Sequence, residues 1–207
     1  MVLREEEGGG GGGGGIRTDG EGRSRQFLEP QKEPEPTWTR CGFTGIHILE
    51  PDLLKLIPAN TPWEINRQVY PEMIERGWPV FGYLHRGYWR EAGDPRGYLD
   101  ANLELLTGKA GGISLRPGSG RLDPPGEGIV SPVLIGKGTV LEEQARLGPG
   151  VIIGPGARIG REARISRSVV LEGTDVPEGA VIAEEIRSPE GNLEVLAVDG
   201  GTEGKVL

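Results

Sequence analysis

The chain has 207 residues, a net charge of −8, a hydrophobic share of 35% and an aromatic share of 5%. That length suits one or two domains, and an acidic balance with no basic stripe excludes a nucleic-acid surface. A single cysteine, Cys41, excludes an intrachain disulfide framework, and no apolar run is long enough to span a bilayer. Residues 1–5 do not form a signal peptide, so the expectation is a cytoplasmic protein with neither membrane nor nucleic-acid partners.

Eight consecutive glycines, Gly8 to Gly15, follow a short polar start. A glycine loop that cradles phosphate needs a strand before it and a helix after it, so residues 1–15 read instead as a flexible segment. Residues 16–29 carry two extended runs around Asp19-Gly20-Glu21-Gly22, the pattern of a hairpin. Pro30, Pro34 and Pro36 then enforce an irregular passage to Trp38. Residues 41–49 predict a strand in which Gly42 and Gly45 suit close approach by a ligand or a backbone. Pro51 opens a short helix over 51–57, residues 64–76 read as helical with a break at Pro71, and 80–84 as a strand. Asp94-Pro95 supplies an N-cap and a first-turn proline for a helix over 95–107. That helix is expected to bury Tyr98, Leu99, Leu103 and Leu106 and to stop at Gly108. Residues 108–128 hold seven glycines and three prolines without a period, and read as a linker.

From 129 to 182 the sequence repeats in sixes. Aliphatic residues fall at Ile129, Ile135, Leu141, Leu147, Ile153, Ile159, Ile165 and Leu171, with no slip in phase. Four residues after each sits a small or β-branched side chain: Val133, Thr139, Ala145, Val151, Ala157, Ala163 and Val169. Asp175 and Pro177 break both columns near the end. This period is neither helical nor a simple strand alternation, and it suits short strands joined by tight turns that glycine supplies. Three hexads per triangular coil give three coils of parallel β-solenoid. Residues 183–207 form an acidic, glycine-rich tail with one β-like run over 193–198.

The array resembles the hexapeptide-repeat family, whose fold is the left-handed parallel β-helix; the handedness rests on that resemblance. Upstream, Thr44-Gly45-Ile46-His47-Ile48-Leu49-Glu50-Pro51 and Gly87-Tyr88-Trp89-Arg90-Glu91-Ala92-Gly93-Asp94-Pro95 resemble the sugar-1-phosphate nucleotidyltransferases. Pro71-Glu72-Met73-Ile74, Gly82-Tyr83 and Tyr98-Leu99-Asp100-Ala101-Asn102 follow in that family's order, and in its mannose-1-phosphate guanylyltransferase-like branch a hexapeptide tail comes next. The resemblance implies an α/β, Rossmann-like half-domain over 16–107 ahead of the β-helix.

It also implies the reaction in which a sugar 1-phosphate attacks the α-phosphorus of a nucleoside triphosphate and pyrophosphate leaves, with Mg²⁺ neutralising charge. On the matching positions, Glu29, Thr44, Gly45 and Trp89 would face the sugar phosphate. Glu91 stands where the family carries a metal-binding aspartate, and reads either as a magnesium ligand or as a solvated loop carboxylate. The lysine expected beside Glu29 is displaced to Lys32, and His47 replaces a commoner tyrosine in a packing role. The family's nucleotide-binding Gly-x-Gly-Thr-Arg loop and second metal aspartate do not occur, and Met1 to Arg4 resembles a point past the middle of its catalytic domain. The chain is therefore expected to be a truncated nucleotidyltransferase, inactive alone and with an incomplete amino-terminal core. The alternative is a non-catalytic assembly or regulatory subunit that forms homo- or hetero-oligomers through the β-helix. A hexapeptide acyltransferase is a third reading, disfavoured because no histidine follows His85 and the array has no insertion.

Overall fold

The computed structural model of the protein describes residues 1–5, 15–27, 36–113, 120–124 and 126–195. Two units, Met1–Gly87 and Tyr88–Leu207, each make their own contacts.

The first unit is a five-stranded sheet in the order β3-β2-β4-β1-β5, made of β1 (Val2–Glu5), β2 (Ile16–Thr18), β3 (Ser24–Gln26), β4 (Thr39–Phe43) and β5 (Tyr83–His85). Only the β1–β5 pair is parallel. The expected hairpin is present: the Asp19 carboxylate accepts from the Glu21 and Arg23 amides at 3.0 and 2.9 Å and so closes the turn between β2 and β3. A single-turn π segment, Ile65–Val69, runs into α1 (Tyr70–Glu75), so Pro71 falls in the first turn of that helix rather than breaking it. Leu3, Ile16, Phe27, Cys41, Leu53, Val69, Tyr70 and Met73 form the core.

The start of the chain departs from expectation. Residues 2–5, read as part of a flexible segment, make a strand hydrogen-bonded on both sides, and Leu3 is 1% exposed. Leu3 lies across the ladder from Phe43 and Leu84, and burying it there fixes a stretch too short to show a period of its own. The polyglycine run lies almost wholly outside the described residues.

The second unit is a parallel β-solenoid with three faces. One carries β6 (Arg121–Leu122), β7 (Val133–Ile135), β10 (Val151–Ile153), β13 (Ser168–Val170), β16 (Glu185–Ser188) and β17 (Gly191–Glu194). The second carries β8 (Val140–Leu141), β11 (Arg158–Ile159) and β14 (Asp175–Val176). The third carries β9 (Arg146–Leu147), β12 (Arg164–Ser166) and β15 (Val181–Ala183). All pairs are parallel except the end strands β6 and β17, which run antiparallel. The stretch read as a linker therefore supplies an edge strand, and the tail continues the first face through β16 and β17. Residues 196–207, including the second half of the β-like run, lie outside the described residues.

Stacked parallel strands lie about 4.8 Å apart, and this spacing explains the glycines that follow the inward residues Ile135 and Ile153. A Cβ on Gly136 would come within 2.5 Å of the Pro155 nitrogen, and one on Gly154 within 2.5 Å of the Glu172 nitrogen. Neither glycine has a positive φ, so close approach by the next coil, not turn geometry, excludes a side chain there.

The phase does slip, contrary to the six-residue reading. Val151 pairs with Val133, eighteen residues earlier, but with Ser168, seventeen later. The three-residue corner Gly148-Pro149-Gly150 shortens to Ser166-Arg167 one coil on, and Arg167 adopts φ +45° to make the tighter bend. Beyond it the inward large residues are Val170, Val176 and Ile182, not Leu171 and its successors. The inward small positions become Ser168 and Thr174 rather than Val169 and Asp175, both of them buried. This is why Asp175 and Pro177 break the sequence columns: both face out.

The same slip turns Val169 and Ile186 outward, where with Ile152 and Leu171 they make an apolar strip. Helix α2 (Pro95–Leu106) covers it with Leu99 and Leu103. Sequence alone assigns this helix to the amino-terminal part; its apolar face packs on the solenoid instead. Tyr98, expected to be buried, is 38% exposed because Leu99, Leu103 and Leu106 share the face that meets the strip.

The slip is testable by a pair of substitutions. Val176→Asp buries a charge in the solenoid and is expected to cost more than about 3 kcal/mol in urea unfolding, whereas Pro177→Asp stays within about 0.5 kcal/mol. Equal costs would restore the unslipped register.

Candidate functional site

The candidate residues divide between the two units. In the first, Thr44 and Gly45 follow directly on β4. The Thr44 amide and hydroxyl both donate to the Val2 carbonyl, at 3.3 and 2.8 Å, which ties the end of β4 to β1. Gly45 has φ +85° and open space where a Cβ would stand. That conformation favours glycine, and it reverses the chain so that Ile46 returns its carbonyl to the Val2 amide at 3.0 Å.

Beside this bend, His47 Nδ1 lies 2.5 Å from the Tyr70 hydroxyl, within an aromatic cluster completed by Phe27 and Phe43. Burial pushes the Tyr70 phenol up to about 12, so Tyr70 keeps its proton and donates to an unprotonated Nδ1. Burial holds His47 below its ordinary value, assisted by the positive amino terminus. His47 thus packs, as its sequence context suggests. Glu29 lies outside the described residues.

In the second unit, residues 88–94 lead into α2. Trp89 is half-buried and Glu91 is exposed. An open cleft of about 460 Å³ is lined by Arg90, Glu91, Asp94, Arg96 and Asp100. Asp94 caps α2, its Oδ1 accepting from the Gly97 amide at 2.6 Å, as the Asp-Pro pair predicts. Asp100 is paired with Arg96 at 3.2 Å and lies 3.7 Å from Arg90. Glu104, which the sequence reading passed over, accepts from the Tyr88 hydroxyl at 2.8 Å and from two nitrogens of Arg90. Burial alone would raise the Glu104 carboxyl, but hydrogen bonds from Arg90 and Tyr88 outweigh it and hold the group below its ordinary value.

Magnesium takes several oxygen ligands in near-octahedral array. The cleft offers Glu91, while Asp94 is engaged as a cap, Asp100 is neutralised by arginine, and two guanidinium groups line the same space. Among the described residues no three His, Cys, Asp or Glu side chains gather to hold a metal ion. These residues by themselves do not fit a resident Mg²⁺. Among the described residues, too, no helix is long and apolar enough to cross a membrane.

Comparison with known proteins gives this geometry a context. Residues 129–195 match the family model described as the GMPPB C-terminal domain. That match falls on the solenoid segment. The chain is 30% identical over 138 residues to a mannose-1-phosphate guanylyltransferase of Mycobacterium tuberculosis, covering 65% of this chain and 37% of the relative. It is 32% identical over 95 residues to a glucose-1-phosphate adenylyltransferase of Desulfitobacterium hafniense, covering 43% of this chain and 23% of the relative. A UTP–glucose-1-phosphate uridylyltransferase of Synechocystis is 26% identical over 146 residues, covering 65% and 37%. The relatives are thus sugar-1-phosphate nucleotidyltransferases, and the chain spans well under half the length of each. The resemblance read from the Thr44 and Trp89 motifs and from the repeat points to the same proteins.

The His47–Tyr70 pair gives a pH prediction. The folded pKa of His47 lies below its ordinary value of 6.5, so the unfolded chain binds the proton more readily. Stability of the first unit should therefore fall as pH drops below 6.5 towards the folded pKa and then level off. Urea midpoints across that range, compared with His47→Phe, check this; a dependence that survives the substitution would assign it elsewhere.

Proposed function

We propose that this chain forms the sugar-1-phosphate side of a nucleotidyltransferase, with the solenoid serving assembly. The resemblance assigns Glu29, Thr44, Gly45 and Trp89 to the sugar 1-phosphate, and the nucleoside triphosphate is held by residues other than these. In the reaction a phosphate oxygen of the sugar 1-phosphate forms a bond to the α-phosphorus, and the bond to the β-phosphate oxygen breaks to release pyrophosphate. The contribution of this chain is orientation. The Thr44 hydroxyl donates to the Val2 carbonyl, which fixes its position beside the bend where the sugar is proposed to lie. The open bend at Gly45 lets a sugar approach the backbone where any side chain would intrude.

The observation that carries this reading is the extent of the match. Identity to the mannose-1-phosphate guanylyltransferase runs over 138 residues, about twice the span of the solenoid segment, and so takes in much of the chain ahead of it. A second reading, a non-catalytic assembly subunit, is favoured by the loop at Glu91, whose neighbouring carboxylates are all engaged. Both readings make the solenoid an oligomerisation element, since its terminal strands are edges that a partner can pair or cover.

Calorimetry of the purified chain separates the readings. Mannose 1-phosphate is expected to bind, and Thr44→Val to weaken it roughly fivefold to tenfold, the worth of one hydrogen bond. GTP with Mg²⁺ is expected to give no heat. Micromolar GTP binding would overturn the proposal, and no heat from either ligand would leave the assembly subunit.

A further inference from the structure

The segment 88–91 is fastened to α2 at two points, and neither fastening is needed for α2 to be a helix. The first is Glu104, whose single carboxylate receives both Tyr88 and Arg90, the residues on either side of Trp89. Tyr88 Oη donates to Oε2 at 2.8 Å, Arg90 Nε donates to the same oxygen at 3.2 Å, and Arg90 Nη2 donates to Oε1. One carboxylate of α2 thus holds the residues on both sides of Trp89. The second is Gly97. A Cβ there would come within 2.6 Å of the Glu91 carbonyl oxygen, closer than real Cβ atoms pack. Glycine inside a helix costs about 0.5–1 kcal/mol relative to alanine, and nothing else in α2 calls for it, as its φ is not positive.

Helix α2 is in turn seated on the solenoid. Leu99 and Leu103 pack on Val169 and Ile186. Arg96 reaches Glu184 at 3.5 Å, and Glu184 also accepts from Arg167 at 2.9 Å. Arg167 and Glu184 occupy the tight corners of successive coils and have φ +45° and +56°. A chain of contacts therefore runs from the shortened corners through α2 to the loop.

We infer that Glu104 and Gly97 are positioning residues that hold Trp89 and Glu91 in register with the solenoid, so that the solenoid is the platform of the sugar-phosphate loop. The role of the loop rests on the function proposed above; its fastening does not.

The test separates the two in the full-length chain. Trp38, Trp63 and Trp78 are replaced by Phe so that emission reports Trp89. Glu104→Ala and Gly97→Ala are each expected to raise acrylamide quenching of Trp89 by about twofold or more, as local opening exposes the ring. The far-ultraviolet spectrum and thermal midpoint of the solenoid should hold. A pH titration supplies a readout that general loosening would not give. Glu104 sits below its ordinary value of 4.5, so the clamp is intact above that pH and releases as pH falls through the folded pKa. The accompanying Trp89 transition should vanish in Glu104→Gln. Mannose 1-phosphate affinity should fall about tenfold in Glu104→Ala, a loss of about 1.4 kcal/mol. Unchanged quenching in both variants, or a pH transition that persists in Glu104→Gln, overturns the inference. Increased quenching with unchanged sugar-phosphate affinity supports the fastening and overturns the role proposed for the loop.

Discussion

Everything in the second unit follows from how closely one coil must lie on the next. Ladder hydrogen bonds bring successive backbones to about 4.8 Å, and at that spacing each inward position must match its neighbour in size. Ile135, Ile153 and Val170 stack in one column, and Arg187 stands at the next register position, where it closes the column with its guanidinium on Glu185. Leu147, Ile165 and Ile182 stack in another. Where the next backbone arrives at a Cα instead, only glycine fits, as at Gly136 and Gly154. Leu141, Ile159 and Val176 stack in the third, and because each column is built coil on coil, stability is shared between neighbouring coils.

The shortened corners are a second consequence of the same constraint. With one residue fewer at Ser166-Arg167, the chain must turn through a left-handed conformation to keep its ladder, and every residue beyond changes face. Val169 and Ile186 become outward, which creates the seat of α2. The corner side chains Arg167 and Glu184 pair across coils, and Arg96 joins them from the helix. A local change in loop length thus decides which helix the solenoid binds, and through that helix where residues 88–91 lie. The placement of residues 88–91 thus traces back to a corner one residue shorter than that of the coil before it.

How much of this was legible follows the same physics. The six-residue period, the Asp94-Pro95 cap and the hairpin at Asp19 each rest on local chemistry, and each was readable. The slip was not, because Val170 and Leu171 are both aliphatic and either satisfies a count by sixes. The register is set by the corner, whose shortness shows only against the coil beneath it. The allegiance of α2 was hidden for a similar reason: an amphipathic helix declares a buried face but not its partner. Strand β1 was too short, and too close to the polyglycine run, to declare itself. At the candidate site, Thr44, Gly45, Trp89 and Glu91 were singled out by resemblance, whereas Glu104 and Gly97 were missed. Tyr88 and Arg90 at one parity, with a carboxylate on the next helix, were the available signal, and it acquires meaning only once the helix is folded back.

Helix α2 and its loop belong cooperatively to the solenoid, whose outer strip the helix covers, and not to the sheet of the first unit. Native-state hydrogen exchange across a urea series tests this most directly. The amides of α2 should share the opening free energy and denaturant dependence of β10, β13 and β16, and differ from those of β1 and β4. Exchange of α2 in step with β1 and β4 would contradict the account.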